Sequence, residues 1–278
     1  MDKLIVWLNR GFRRPRVGGR ESSEAYSQWE YETGQEFARV YLEPAGDLDG
    51  KSVLDVGCGL GGKTVAFGES GARAVIGIDI LAANVSASHA YAREHPGAVP
   101  SLFLAADAAS LPFANATFDT VVASDAMEHF SHPGSALAEM HRVVTKGGAI
   151  WIFFTPHFSP LGSHLYDYIY TPWCHLLFTR AQIARAVRRV LEVRAGGDRA
   201  DGAAIDSRVR EIMRSYDEDL NHMSVRRFLK MVRETPALTV RYLELRPAKF
   251  RFLKPFTFLP LVRELVTGFV VCRLQRTN

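Results

Sequence analysis

The groups whose types and spacing could do chemistry are a few acids, a run of glycines and two histidines. Asp55 closes the apolar stretch Val53-Leu54 and stands two residues before Gly57, with Gly59, Gly61 and Gly62 following. Glycines this close together remove Cβ atoms, so a ligand can lie directly on backbone. A helix beginning near Lys63 would aim its unpaired N–H groups at that ligand. Gly57, Gly59 and Gly62 also satisfy the dinucleotide pattern G-x-G-x-x-G. An acid at position 55 would repel a pyrophosphate, whereas a ligand carrying an ammonium and a sulfonium would be drawn to it. Asp79 stands about 20 residues beyond the turn, where nucleotide folds use an acid to accept ribose hydroxyls. Asp107, with Ala108 beside it, follows the third apolar run; the other reading of Asp79 and Asp107 is turn or helix capping. His129 lies in Ser124-Asp125-Ala126-Met127-Glu128-His129, and His157 lies further on. Histidine titrates near neutral pH, so His129 is the first candidate for a base and His157 the second. The competing role for His129 is to fix its loop by hydrogen bonding.

These residues need a scaffold, and the pattern supplies one. Strands are expected over 52–56, 74–78, 101–105, 120–123 and 149–154, alternating with helices over 63–70, 82–94 and 135–144. Short β-branched runs separated by helical segments predict a parallel sheet covered on both faces. Right-handed crossovers would bring the strand C-termini to one edge, where ligands bind. Upstream, Ser22 or Ser23 caps an expected helix over 26–42, with Trp29, Phe37, Val40 and Tyr41 on an imperfect stripe.

Val53-Leu54-Asp55-Val56-Gly57-Cys58-Gly59-Leu60-Gly61-Gly62 resembles motif I of the class I S-adenosylmethionine-dependent methyltransferases, of the methyltransferase type 11 kind. The resemblance extends through Val75-Ile76-Gly77-Ile78-Asp79, through Leu111-Pro112-Phe113 with Phe118-Asp119, and through Arg142-Val143-Val144-Thr145-Lys146-Gly147-Gly148, covering 51–155. It implies a doubly wound, seven-stranded Rossmann-like α/β sheet with a helical and aromatic cap inserted after strand 5. It implies S-adenosylmethionine as cofactor, bound by Asp55, Gly57, Gly59, Gly61, Asp79, Ile80, Asp107, Ala108 and Ser124. Asp55 would serve the methionine end, Asp79 the ribose and Asp107 the adenine amino group. The family's turn before the Gly-Gly pair often carries proline where this chain has Lys146. A helix near 26–42 often lids the cofactor in the family; simple packing on the sheet is the alternative.

Four regions are expected: a leader and lid helix (1–42), the cofactor core (43–155), the acceptor cap (156–223) and a C-terminal completion of the sheet (224–278). The cap begins in a segment crowded with His157, Phe158, His164, Tyr166, Tyr168, Tyr170, Trp173 and His175. Tyr166, Tyr168 and Trp173 are the candidate acceptor contacts, since each offers an apolar face with one polar handle. His157, His164, Asp167 and His175 match no metal-ligand spacing, so no metal is expected. Thr179 and Gln182 form a capping box opening the arginine-rich helix 180–194, read as amphipathic with a solvated side. Further helices are expected over 206–220 and 225–233, and strands over 238–245 and 268–273.

With 278 residues, 47% hydrophobic and 23% charged, the chain has an ordinary globular composition. Its formal net charge of +4 permits anionic partners without requiring them. Three scattered cysteines argue against a disulfide framework or zinc site and fit the cytoplasm. Leu4 to Leu8 followed by arginines is too short for a span or signal; packing as a leader competes with contact at an anionic membrane surface. The 256–271 stretch carries Arg263 and Glu264 and makes a poor span. The expected function is methyl transfer to a small, hydrophobic, aromatic or lipid-like acceptor. The alternatives are an RNA or protein methyltransferase and a non-catalytic relative that binds or assembles. DNA is not an expected partner, nor RNA in the leading reading.

Overall fold

A computed structural model describes residues 2–9, 11, 22–196, 201–248, 251–260 and 262–277. Most of the arginine-rich stretch 10–20 and of the 196–202 loop lies outside the described residues. The elements in order are α1 (Asp2–Asn9), α2 (Ser23–Phe37) with a π-helical turn (Ala38–Leu42), β1 (Ser52–Val56), α3 (Gly62–Glu69), β2 (Ala74–Asp79) and α4 (Ala82–Glu94). Then come β3 (Ser101–Ala105), β4 (Phe118–Ser124), α5 (Pro133–Val143), β5 (Val144–Phe154), α6 (Cys174–Leu177), α7 (Arg180–Arg194), α8 (Gly202–Glu218) and α9 (Val225–Arg233). The chain ends with β6 (Leu238–Pro247), a 3-10 helix (Arg251–Phe258), α10 (Arg263–Val266) and β7 (Thr267–Arg276).

The seven strands form one sheet in the order β3-β2-β1-β4-β5-β7-β6. β1 pairs in parallel with both β2 and β4, which accounts for its near-continuous apolar sequence: Val53, Leu54 and Val56 are all fully buried. The strand order runs outward from β1 to β3 on one side and resumes with β4 on the other, so the crevice lies at the C-terminal ends of β1 and β4. The expectation of an all-parallel sheet needs correction at β7. Gln275 donates to the Gly147 carbonyl and Arg276 to that of Val144, so the end of β7 meets the start of β5. The Thr277 amide bonds to the Ala237 carbonyl beside the start of β6, so β6 and β7 are antiparallel as well.

Local chemistry sets the helix starts. Ser22 accepts from the Ala25 amide, and Thr179 with Gln182 forms the reciprocal capping box. Asp201 accepts from Ala203 and Ala204, so α8 begins at Gly202, earlier than its apolar pattern suggested. β5 begins at Val144, ahead of 149, because Phe118 pairs with Val144 before a register shift.

The chain divides into two compact units. The sheet unit comprises 18–154, 228–244 and 271–278; the second comprises 1–17, 155–227 and 245–270. The region after β5 is therefore joined by pieces from both ends of the sequence, unlike the single insertion over 156–223. Two contacts explain the recruitment of the N-terminus. Ile5 is fully buried in a cluster with Leu165, Ile169, Ile183 and Val187. The Asn9 side chain donates to the Tyr168 carbonyl and accepts from the amides of Tyr170 and Thr171. Within the described part of the leader, Ile5 and Asn9 are thus packed. Likewise, Arg180 pairs with Asp217, and Arg188 with Glu192 and Asp206, so α7 spends these arginines on neighbouring acids.

Candidate functional site

The glycine turn joins β1 to α3, and its amides are occupied. Gly57 and Cys58 donate to the Ile78 carbonyl, which ties the turn to β2. The Gly59 amide donates to Asp79 Oδ2 at 3.1 Å. Leu60 and Gly62 donate to the Glu30 carboxyl group at 3.1 and 3.2 Å. Glu30, on α2, was absent from the sequence-derived candidates. It is only 5% exposed. Burial pushes its pKa up to about 8 against the opposing pull of Lys63 and the two amides.

This arrangement depends on glycine at two positions. A methyl group on Gly59, whose φ is +58°, would come within 2.3 Å of Glu30 Oε1. One on Gly62 would lie 2.0 Å from the Ser27 carbonyl oxygen, so α2 can rest backbone-to-backbone on α3 only without it. Helix α2 therefore packs over the turn.

The acids sort by environment. Asp55 is 1% exposed, and its Oδ2 accepts from Thr64 Oγ1 at 2.7 Å. Burial raises its pKa to about 6. It underpins the turn from inside the sheet unit. Asp79 ends β2 half-buried; Oδ1 accepts from the Leu81 amide (2.9 Å) and Asn84 Nδ2 (3.1 Å) while Oδ2 takes Gly59. Ile80 beside it is exposed. Asp107 lies two residues past Ala105, the β3 partner of Asp79. It is exposed and caps its own turn through the Ala109 amide at 2.8 Å, with Ala108 buried beneath. Lys63 reaches from α3 to the end of β4, 3.3 Å from the Ser124 carbonyl and 2.6 Å from Asp125 Oδ2. Burial works against the ammonium, but Asp125 and Glu30 more than offset it and raise its pKa. His129 is exposed just beyond, in a turn closed by its own amide on the Ala126 carbonyl.

The structure thus gathers Asp55, Gly57, Gly59, Gly61, Asp79 and Ser124 around one turn and adds Glu30, Lys63, Thr64, Asn84 and Asp125. Three carboxyl groups, of Glu30, Asp55 and Asp125, lie within electrostatic reach of the Lys63 ammonium, and Asp79 acts in turn on Asp55. The helix N-terminus that would receive a pyrophosphate already holds a carboxyl group. A cationic ligand fits this charge; a dinucleotide does not.

Residues 54–152 match the family described as a methyltransferase domain. This segment is a class I S-adenosylmethionine-dependent methyltransferase domain. Its cofactor is S-adenosylmethionine. A demethylmenaquinone methyltransferase from Renibacterium salmoninarum is 31% identical over 135 residues, 47% of this chain and 53% of that protein. An uncharacterized methyltransferase of Mycobacteroides abscessus is 27% identical over 230 residues, 82% of this chain and 77% of its own. The chain spans about half the length of the first of these relatives. Geranyl diphosphate C-methyltransferase from Streptomyces coelicolor shares the fold at a TM-score of 0.55 and 15% identity, over 95% of this chain and 88% of that one.

The other candidates lie in the second unit, outside the methyltransferase domain. His157, His175 and His222 cluster there, with His157 ring centroids 5.2 and 4.3 Å from the other two. Burial and the neighbouring histidines lower the His157 pKa to about 4, too low for an efficient base near neutral pH. Its carbonyl accepts from His175 Nε2 at 2.6 Å. Tyr168 packs under Arg194, with the guanidinium 5.5 Å from its ring centroid. Trp173 donates its indole N–H to the Leu265 carbonyl at 3.0 Å.

Asp79→Ala is expected to weaken S-adenosylmethionine binding by about 1.5–3 kcal/mol, the scale for hydrogen bonds to a charged group. That corresponds to roughly 10–150-fold in Kd, read by calorimetry on a variant whose fold is verified. Unchanged affinity would remove Asp79 from the ribose role.

Proposed function

We propose that this chain transfers the methyl group of S-adenosylmethionine to a small, hydrophobic acceptor, aromatic or lipid-like. The observation that carries the reading is the acid-rich glycine turn, whose charge suits a cationic methyl donor. Bound S-adenosylmethionine supplies a methyl already activated by its positive sulfur. The protein's part is alignment, for which the turn, Asp79, Asp107 and the β4 end supply fixed points, and proton removal from a neutral acceptor, assigned to His129. Alignment alone contributes up to about 7–11 kcal/mol in well-oriented systems.

The second unit is the proposed acceptor-selecting part. Its segment 155–227 follows directly on β5 and is rich in aromatic residues. Leu176, Leu177, Phe256, Phe258 and Leu259 are exposed in it. Trp173 links the two stretches that carry them through its bond to Leu265. This apolar surface supports a lipid-like acceptor and peripheral contact with a membrane. Among the described residues, no helix is long and apolar enough to cross one. The relatives named for demethylmenaquinone and geranyl diphosphate are consistent with an apolar acceptor. The ion pairing of α7 arginines speaks against an RNA substrate.

The experiment is incubation with methyl-labelled S-adenosylmethionine and fractionated extract. Label in the lipid or small-molecule fraction is expected; label only in RNA or protein would contradict the acceptor class. Once an acceptor is found, Tyr166→Ala and Trp173→Ala are expected to raise its KM about 2–10-fold, the scale of one aromatic contact. Ordinary acceptor kinetics in both folded variants would refute their role. Tyr168→Ala should instead lower stability.

A further inference from the structure

We propose that Glu30 is a cofactor-binding residue, its carboxylate receiving the ammonium of the methionine end of S-adenosylmethionine. This rests on the cofactor reading above and assigns that end to an acid outside motif I.

The assignment follows from what the other acids are doing. Asp55 is sealed inside the unit against Thr64. Asp125 already holds the Lys63 ammonium at 2.6 Å. Asp79 accepts three donors, from Gly59, Leu81 and Asn84, at the ribose end of the turn. Glu30 has two backbone amides on its oxygens and no cation in direct contact among the described residues. A carboxyl group has roughly four lone-pair sites, so acceptor capacity remains. The group also stands where the chain's backbone is barest, against the Cα of Gly59. Helix α2 cannot carry it away without lifting off Gly62, where Ser27 and Tyr31 backbone atoms already fill the space a methyl would need. Gly34 of α2 repeats the close approach one turn on, against the Lys63 Cα. Glu30 is therefore a fixed group poised at the turn.

Its protonation adds a measurable consequence. The charged and titratable groups that act on or feel Glu30 are Lys63 on α3, Asp55 on β1, Cys58 in the turn and Tyr91 on α4. Lys63 alone among these favours the ionised form, and burial outweighs it, which leaves Glu30 protonated near pH 7. An arriving ammonium favours the carboxylate, and the displaced proton leaves to solvent. 5′-Methylthioadenosine has the same nucleoside and no ammonium, so it should bind without this proton.

The test is titration calorimetry of the intact chain at pH 7 with S-adenosylmethionine and with 5′-methylthioadenosine, in two buffers of different ionisation enthalpy. Net proton release is expected with S-adenosylmethionine only. Bound as the ammonium, the ligand's own α-amine, ordinarily near pH 8, takes protons up, so it gives the opposite sign. Glu30→Gln, checked for folding, is expected to bind S-adenosylmethionine at least about tenfold more weakly and 5′-methylthioadenosine unchanged. Should that variant fail to fold, the proton count on the natural chain decides alone. Binding of S-adenosylmethionine without proton release, or a folded Glu30→Gln that binds it as tightly or tighter, would overturn the Glu30 assignment and leave the cofactor reading standing. No binding of S-adenosylmethionine by the natural chain would overturn both.

Discussion

His129→Ala is expected to lower turnover by about 10²–10⁴-fold while leaving S-adenosylmethionine affinity unchanged, the signature of a base that acts on the acceptor. The backbone that presents this histidine is held from several directions. The Asp125 amide bonds to the Phe153 carbonyl on β5 at 2.8 Å, and Asp125 adopts a left-handed φ of +54°. Lys63 clamps the Asp125 side chain from α3. Ala126 abuts Gly57, where a methyl would come within 2.6 Å of its Cβ, and Met127 is fully buried. These anchors fix the loop while the imidazole stands exposed at the sheet edge beside the turn. Kinetics with an identified acceptor decide the role. Unaltered turnover would make His129 a loop residue.

The second large effect concerns stability. Asp47→Ala is expected to destabilise the sheet unit by about 3–5 kcal/mol, the range for removing one partner of a buried ion pair. The Asp47 carboxylate accepts from the Trp151 indole N–H on β5 at 2.7 Å and from Arg273 Nε and Nη2 on β7 at 2.6 and 2.8 Å. Its carbonyl takes Thr120 Oγ1 on β4 at 2.7 Å. One residue thus ties the loop before β1 to three strands. Alanine would leave a partly buried guanidinium and a buried indole N–H uncompensated. Asp47→Asn keeps an acceptor in place and should cost less. Equilibrium denaturant titration is the check, and a loss below about 1 kcal/mol for the alanine variant would contradict this account.

The glycine turn and the alternation of strands and helices could be read because they are local. Val53 to Gly62 encodes a strand, a turn and a helix start within ten consecutive positions. The caps at Ser22 and at Thr179 with Gln182 were legible for the same reason. Glu30 was not. It sits in Trp29-Glu30-Tyr31, where periodicity marks the apolar residues and treats an acid as solvated. Its burial is a product of the helix contact at Gly34 and Gly62, which no single segment encodes. Lys63 was hidden likewise, since a lysine at a helix start reads as a surface charge until Asp125 is brought to it. The direction of β7 depends on pairings across more than a hundred residues, such as Gln275 with Gly147. The recruitment of α1 into the second unit rests on Ile5 and Asn9, which look ordinary in a short apolar leader.

The acid excess around the glycine turn is what separates a methyl donor's site from a dinucleotide site on this fold. Calorimetric titration of the purified chain with S-adenosylmethionine and, in parallel, with NAD tests that distinction most directly. Saturable one-site binding of S-adenosylmethionine with no heat from NAD is the expected result. Saturable NAD binding, with S-adenosylmethionine neither binding nor competing, would contradict it.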